Sequence, residues 1–210
     1  MNCALLVLLV SPLALAKFGD DNFNGIVYDI GPVAIGECPG NGPQIAGHCV
    51  FPRQIIKDGV WYDSSFVKGQ PCSSPGQTID GYCAYRGNFV SKGLIYRSTS
   101  PDCTYNGIPD STCPAYAPCV RGVCALSAGA IASTEPASYQ IVYNNVNAPD
   151  ASGKCAVASA KVIGGQCAVP TSIALNNGSF YNIVDTNCNA CRSVCVAGFC
   201  AYETQIIKSN

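Results

Sequence analysis

Ile45-Ala46-Gly47-His48-Cys49-Val50 sets a pattern: β-branched residue, any residue, Gly, any residue, Cys, then Ala or Val. It returns at Ile79–Ala84, Val120–Ala125, Ile163–Ala168 and Val196–Ala201. Successive copies start 34, 41, 43 and 33 residues apart, a period typical of repeat architectures built from one small unit in series. A second piece recurs between the copies, a turn dipeptide followed by apolar residues and a tyrosine. It reads Asn24-Gly25-Ile26-Val27-Tyr28, Asp58-Gly59-Val60-Trp61-Tyr62, Lys92-Gly93-Leu94-Ile95-Tyr96 and Asn177-Gly178-Ser179-Phe180-Tyr181. Asn-Gly and Asp-Gly supply the positive φ angles of a type I′ hairpin, and β-branched and aromatic flanks suit strands. Ile141-Val142-Tyr143 is the same second strand, reached through the Ala/Ser/Thr/Pro-rich connection 126–138.

These two pieces divide the chain into a leader (1–16), five units (17–50, 51–84, 85–125, 126–168 and 169–201) and a C-terminal tail (202–210). The fold expected is small, disulfide-rich and mostly β, a serial array of short hairpins and cysteine clusters with little helix. Gly, Pro, Ser and Asn interrupt nearly every ten residues, and no long 3.6-residue stripe follows the leader. Each unit is too small to be stable on its own apolar burial, so covalent bridges are expected to carry the structure. The connection Asn147-Ala148-Pro149-Asp150 reads as a joint if the units are not bridged to each other, and as part of a stiff rod if they are.

The apolar run from Ala4 to Ala16, ending Ala14-Leu15-Ala16, reads as a secretory signal with a mature start at Lys17. Its removal takes Cys3 and leaves fourteen cysteines, enough for seven disulfides in an exported, extracellular product. The simplest pairing joins Cys38 to Cys49, Cys72 to Cys83 and Cys155 to Cys167. The clusters Cys103/Cys113/Cys119/Cys124 and Cys188/Cys191/Cys195/Cys200 each allow three connectivities. No later stretch approaches the roughly 20 apolar residues of a membrane helix. A charged fraction of 12% and a net charge of −1 give no field to draw nucleic acid.

Residue by residue, the chemistry is sparse. Asp20-Asp21-Asn22-Phe23-Asn24-Gly25 opens like a calcium loop, but its twelfth position is Gly31 instead of a bidentate Glu, so a plain turn is expected. Cys188-Asn189-Ala190-Cys191 has redox-dithiol spacing without a strand-to-helix setting, which points to structural bridges. The single histidine, His48, occupies a repeated slot filled elsewhere by Tyr82, Val123, Gln166 and Phe199, a poor place for a general base. No nucleophile elbow or phosphate-binding loop occurs, so neither an enzyme nor a cofactor or metal site is expected. The in-register tyrosines Tyr28, Tyr62, Tyr96, Tyr143 and Tyr181 are expected to cover the adjacent disulfide or the next hairpin, in preference to an exposed aromatic ladder for a ligand or sites of oxidative cross-linking. Asn177-Gly178-Ser179 is a glycosylation sequon at a hairpin tip.

Cys119-Val120-Arg121-Gly122-Val123-Cys124 and Cys195-Val196-Ala197-Gly198-Phe199-Cys200, with their upstream Gly-x-Cys pairs, resemble the EB modules of nematode secreted proteins over about a quarter of the chain. The resemblance implies a secreted invertebrate module, sometimes joined to protease-inhibitor domains, and carries no functional residues with it. The function expected is a non-enzymatic extracellular matrix, cuticle or surface component, or a multivalent binding scaffold for an extracellular protein or carbohydrate partner. The alternative is a secreted protease inhibitor or host-directed effector that uses a braced loop such as Cys113-Pro114-Ala115-Tyr116-Ala117-Pro118-Cys119, held extended.

Overall fold

The computed structural model describes residues 18–209 except 40–41, 106–107, 110–112 and 134–137. The leader and Cys3 lie outside the described residues. The chain is almost wholly β, and every unit repeats one plan of a leading strand, a short strand and a long strand. The long strands cross the boundaries expected at 50, 84, 125 and 168, so each unit here runs to the end of its long strand. The first holds β1 (Gly25–Val33), β2 (Gln44–Ile45) and β3 (His48–Lys57), and the second β4 (Val60–Lys68), β5 (Gln77–Ile79) and β6 (Tyr82–Ser91). The third adds a separate two-residue ladder, running β7 (Leu94–Asp102), β8 (Thr104–Tyr105), β9 (Ile108–Pro109), β10 (Cys119–Val120) and β11 (Val123–Ser133). The fourth holds β12 (Tyr139–Asn147), β13 (Lys161–Ile163) and β14 (Gln166–Leu175), and the fifth β15 (Ser179–Asp185), β16 (Val194–Val196) and β17 (Phe199–Ser209). No helix among the described residues is long and apolar enough to cross a membrane.

The units follow in series, yet they form neither a rod nor a jointed string. Leading and long strands pair antiparallel in turn, and β1 pairs both β3 and β17, with Gly25 opposite Ser209 and Asp29 opposite Gln205. Ten strands therefore close into a ring, which removes the free edges an open array would leave at each end. Of the stretch read above as a tail, residues 205–209 of β17 make this closure, while Tyr202 and Glu203 pair with β15. The stretch read as a joint is fixed as well: the Asp150 carboxylate accepts from the backbone N–H of Ser152 and Lys154 and from the Ser152 hydroxyl.

Closure creates a shared apolar centre, contrary to the expectation that bridges alone carry the structure. Side chains alternate along a strand, so the middle residue of each apolar triplet faces inward: Val27, Trp61, Ile95 and Val142, with Phe180 half-buried. The long strands add Ile56, Val90, Ile131, Ala174 and Ile207. Every unit thus gives one residue from each of its two strands. Phe18 and Phe23 complete the cluster, with the Phe18 ring 5.3 Å from Trp61, 5.9 Å from Phe23 and 5.8 Å from Phe180. Asn24-Gly25 is accordingly not a hairpin, because residues 18–23 form a plug and no strand precedes β1 among the described residues. The Asp58-Gly59 and Lys92-Gly93 hairpins have both residues at positive φ, as type I′ requires.

Away from the ring, each long strand bends. Where its partner steps onto the unit tyrosine, or to the residue before it, the long strand carries one extra residue: Arg53 opposite the Val27–Tyr28 step, Ala128 opposite Ile95–Tyr96, Thr171 opposite Val142–Tyr143 and Thr204 opposite Phe180–Tyr181. In the second unit Val60 faces Phe89 while Tyr62 faces Arg86, the same irregularity. A bulge bends a strand and raises its twist, and here it turns each unit from the ring into an outer three-stranded petal. The second and third petals cover the unit before them: Ile79 and Tyr82 join Ile26 and Tyr28, while Val120 and Val123 join Val60 and Tyr62. Phe199 joins Ile141 and Tyr143 in the same way. Tyr28 and Tyr143 are buried in these seams.

Candidate functional site

The petals carry the chain's distinctive chemistry. The recurring Gly-x-Cys motif is the tip of each one: Ala46-Gly47, Asp80-Gly81, Arg121-Gly122, Gly164-Gly165 and Ala197-Gly198 all adopt two successive positive φ angles, forming a two-residue hairpin between the short and long strands. The cysteine after the tip lies buried on the long strand, as Cys49, Cys83, Cys124, Cys167 and Cys200. It bonds back to a cysteine in the loop after the leading strand. Cys38–Cys49, Cys72–Cys83 and Cys155–Cys167 pair as the spacing predicts, with Cα separations of 5.5, 5.1 and 5.6 Å. The four-cysteine clusters resolve to Cys103–Cys119 with Cys113–Cys124, and Cys188–Cys195 with Cys191–Cys200. All seven bridges stay within one unit.

These pairings decide several sequence candidates. Cys188 and Cys191 bond to different partners, so they are not a dithiol pair. The sulfurs of Cys103, Cys113 and Cys124 lie within 4.8 Å of one another, but each belongs to a disulfide and none is a thiolate that a metal ligand must be. The loop Cys113–Cys119 is braced at both ends, yet Ala117 N–H donates to the Pro114 carbonyl at 2.9 Å. It is therefore a tight turn and not the extended segment expected of an inhibitory loop. Ala117 is buried and Tyr116 projects, 74% exposed.

The other candidates have structural partners. Asp21 Oδ1 accepts from Lys92 N–H at 2.8 Å and Asn24 Oδ1 from Asp58 N–H at 3.0 Å, so the calcium-like run spends these oxygens on the neighbouring hairpin turns. Arg121 clamps the same region from the third petal, donating to the carbonyls of Asp58 at 2.6 Å and Val90 at 2.8 Å. His48 is half-buried, with Nδ1 3.4 Å from the Gly31 carbonyl. Asn177 is exposed at the β14–β15 turn, its Oδ1 accepting from Ser179 N–H at 2.9 Å. Gly178 beside it has φ +92°, and a Cβ there would come within 2.3 Å of the Ile207 carbonyl oxygen, so this turn accepts only glycine.

One feature of the petals escaped sequence reading. The leading strands of the first, second, fourth and fifth units end in exposed valines, Val33, Val67, Val146 and Val184, at 64, 54, 48 and 56% exposure. Val162 and Val194 lie exposed on the short strands of the last two of these petals. The signal was a valine near the end of four of the five leading strands, and it was obscured because its offset from the unit tyrosine varies. No protein-family model, curated protein or solved structure matches the chain.

Proposed function

We propose that the protein is a non-enzymatic, secreted scaffold that engages an extracellular protein partner through several petals at once. The recurrence of an exposed valine near the end of the leading strand in four petals carries this reading. Isolated surface valines are ordinary, but a ring that repeats one offers the same weak contact several times, and linked weak contacts gain avidity when they bind together. A protein partner is favoured over carbohydrate because the tyrosines that would stack on sugar rings are largely turned into the seams between units. Seven disulfides suit an oxidising extracellular setting, and a glycan on Asn177 would extend from the hairpin end of the ring, away from the petals.

The test uses the full oxidised chain on immobilised extracellular-matrix protein from its source tissue. Val33→Asp, Val67→Asp, Val146→Asp and Val184→Asp are each expected to weaken retention by roughly 3- to 10-fold, and the four together to abolish it. Retention untouched by the quadruple variant, or lost entirely with any single one, refutes the scaffold. Stoichiometric inhibition of a protease that disappears with Tyr116→Ala would instead favour the inhibitor, the reading supported by the exposure of Tyr116 on its doubly braced turn.

A further inference from the structure

The seam between the fourth and fifth units differs from the seam between the first and second. In the latter, Tyr28 belongs to a continuous apolar cluster with Ile79 and Tyr82. In the former, Tyr143 and Phe199 meet in the same way, but an outer cleft of about 590 Å³ remains. Its wall is aromatic and apolar, formed by Tyr139 and Tyr143 of β12, Phe199 of β17 and Pro170 of β14. The only apolar groups that the bordering cysteine loop offers are the methyls of Ala158 and Ala160, too small to fill the space. The volume falls within the roughly 300–1,000 Å³ of small-ligand sites, which combine an apolar wall with a few polar groups.

Those polar groups define the ligand. Among the described residues lining the cleft, Lys161 is the only charged one and no carboxylate is present, so a cationic ligand finds no counter-ion and is repelled by the Lys161 ammonium. The hydroxyls of Ser159 and Thr186 are the other polar side-chain groups on its border apart from the phenols. A sugar would want planar amides or carboxylates beside its hydroxyls, and none lines the site. We propose that this cleft binds a small amphipathic carboxylate, its apolar body against Tyr139, Phe199 and Pro170 and its carboxylate at the Lys161 ammonium. An ion pair with a hydrogen bond to ammonium fixes orientation, and burial against the rings supplies affinity.

Decanoate is the probe, with decanol and decylamine as comparators, titrated calorimetrically into the full-length oxidised protein. Decanoate is expected to saturate one site per chain, decanol to bind roughly tenfold more weakly and decylamine not at all. Lys161→Ala, an exposed change that leaves the fold intact, should bring decanoate down to the level of decanol and leave decanol unchanged. Ala160→Trp should fill the cleft and abolish both, with its thermal unfolding checked against the parent. Absence of saturable decanoate binding, equal binding of decylamine, or decanoate affinity unmoved by Lys161→Ala overturns the proposal.

Discussion

The inner ring and the outer petals are built from the same five units, yet they hold together by opposite means. In the ring, no unit has a core of its own: Val27 and Ile56 of the first unit meet Trp61, Ile95, Val142 and Ile207 of four others. In the petals each unit staples itself, with its bridges closed inside its own boundaries. Shared burial makes the ring a cooperative whole, while separate staples let one petal fail without the others. Damage to a single ring residue should therefore spread through all units, and damage to a single petal should stay local.

The largest effect belongs to Trp61→Ala. Truncating a buried aromatic costs about 3–5 kcal/mol, which in a chain of this size lowers Tm by roughly 6–20 °C. Hydrogen exchange should accelerate on the inner halves of all ten ring strands, including β14 and β17, which lie outside the unit that holds Trp61. Acceleration confined to β4 and its two neighbours would mean that the ring is not one cooperative body. Trp61→Phe sharpens the result: Trp61 Nε1 is buried and finds no acceptor among the described residues, so replacing the indole sacrifices volume but no hydrogen bond, and the loss should be clearly smaller than for alanine.

Next comes the paired change Cys155→Ser with Cys167→Ser. A bridge that closes a loop of this length contributes about 2–4 kcal/mol, chiefly by restricting the unfolded chain. Its removal should free residues 150–166 to exchange and to be clipped by protease, while the Cys38–Cys49 and Cys72–Cys83 petals keep their protection. Proteolysis that begins in the first two petals instead would contradict the separation of petals from one another.

The petals were far more legible in the sequence than the ring. A cysteine at a fixed offset from a glycine marks every unit, and bridges of short span follow from spacing alone, so Cys38–Cys49 and its counterparts could be paired in advance. Even there the tips went unread as hairpins, because alanine and arginine at positive φ, as in Ala46 and Arg121, lack the side chains that usually announce a type I′ turn. The ring left fainter marks. Each unit contributes only two main inward residues, a full repeat period apart from the next pair, and their neighbours Ile26, Tyr28 and Ile55 are apolar too because the adjoining petal covers them. Strands buried on both faces lose the alternation that would reveal an inside. Closure has no local signature at all, since it depends on β1 and β17 meeting across nearly the whole chain. The plug is equally silent: Phe18 and Phe23 lie in a polar, turn-like stretch and acquire a role only once a ring exists for them to fill.

The smallest effect probes the seam where petal and ring meet. Tyr28 is buried between the first two units, and burial, together with Tyr82 and Asp80 nearby, raises its phenol pKa above the ordinary value of 10.0. The folded state thus holds this proton more tightly than the unfolded chain does. As pH climbs through about 10, the unfolded tyrosine ionises first, unfolding gains the free energy of that ionisation, and stability falls. Below pH 9 the residue contributes no pH dependence. Tyr28→Phe keeps the ring in the seam and removes the ionisation, so urea midpoints of the variant and the parent should differ little in slope between pH 7 and 9, and the variant should lose stability less steeply from pH 9.5 to 11. Identical alkaline slopes would mean that the seam already admits water to the phenol, and that the second petal lies over the first unit without sealing it.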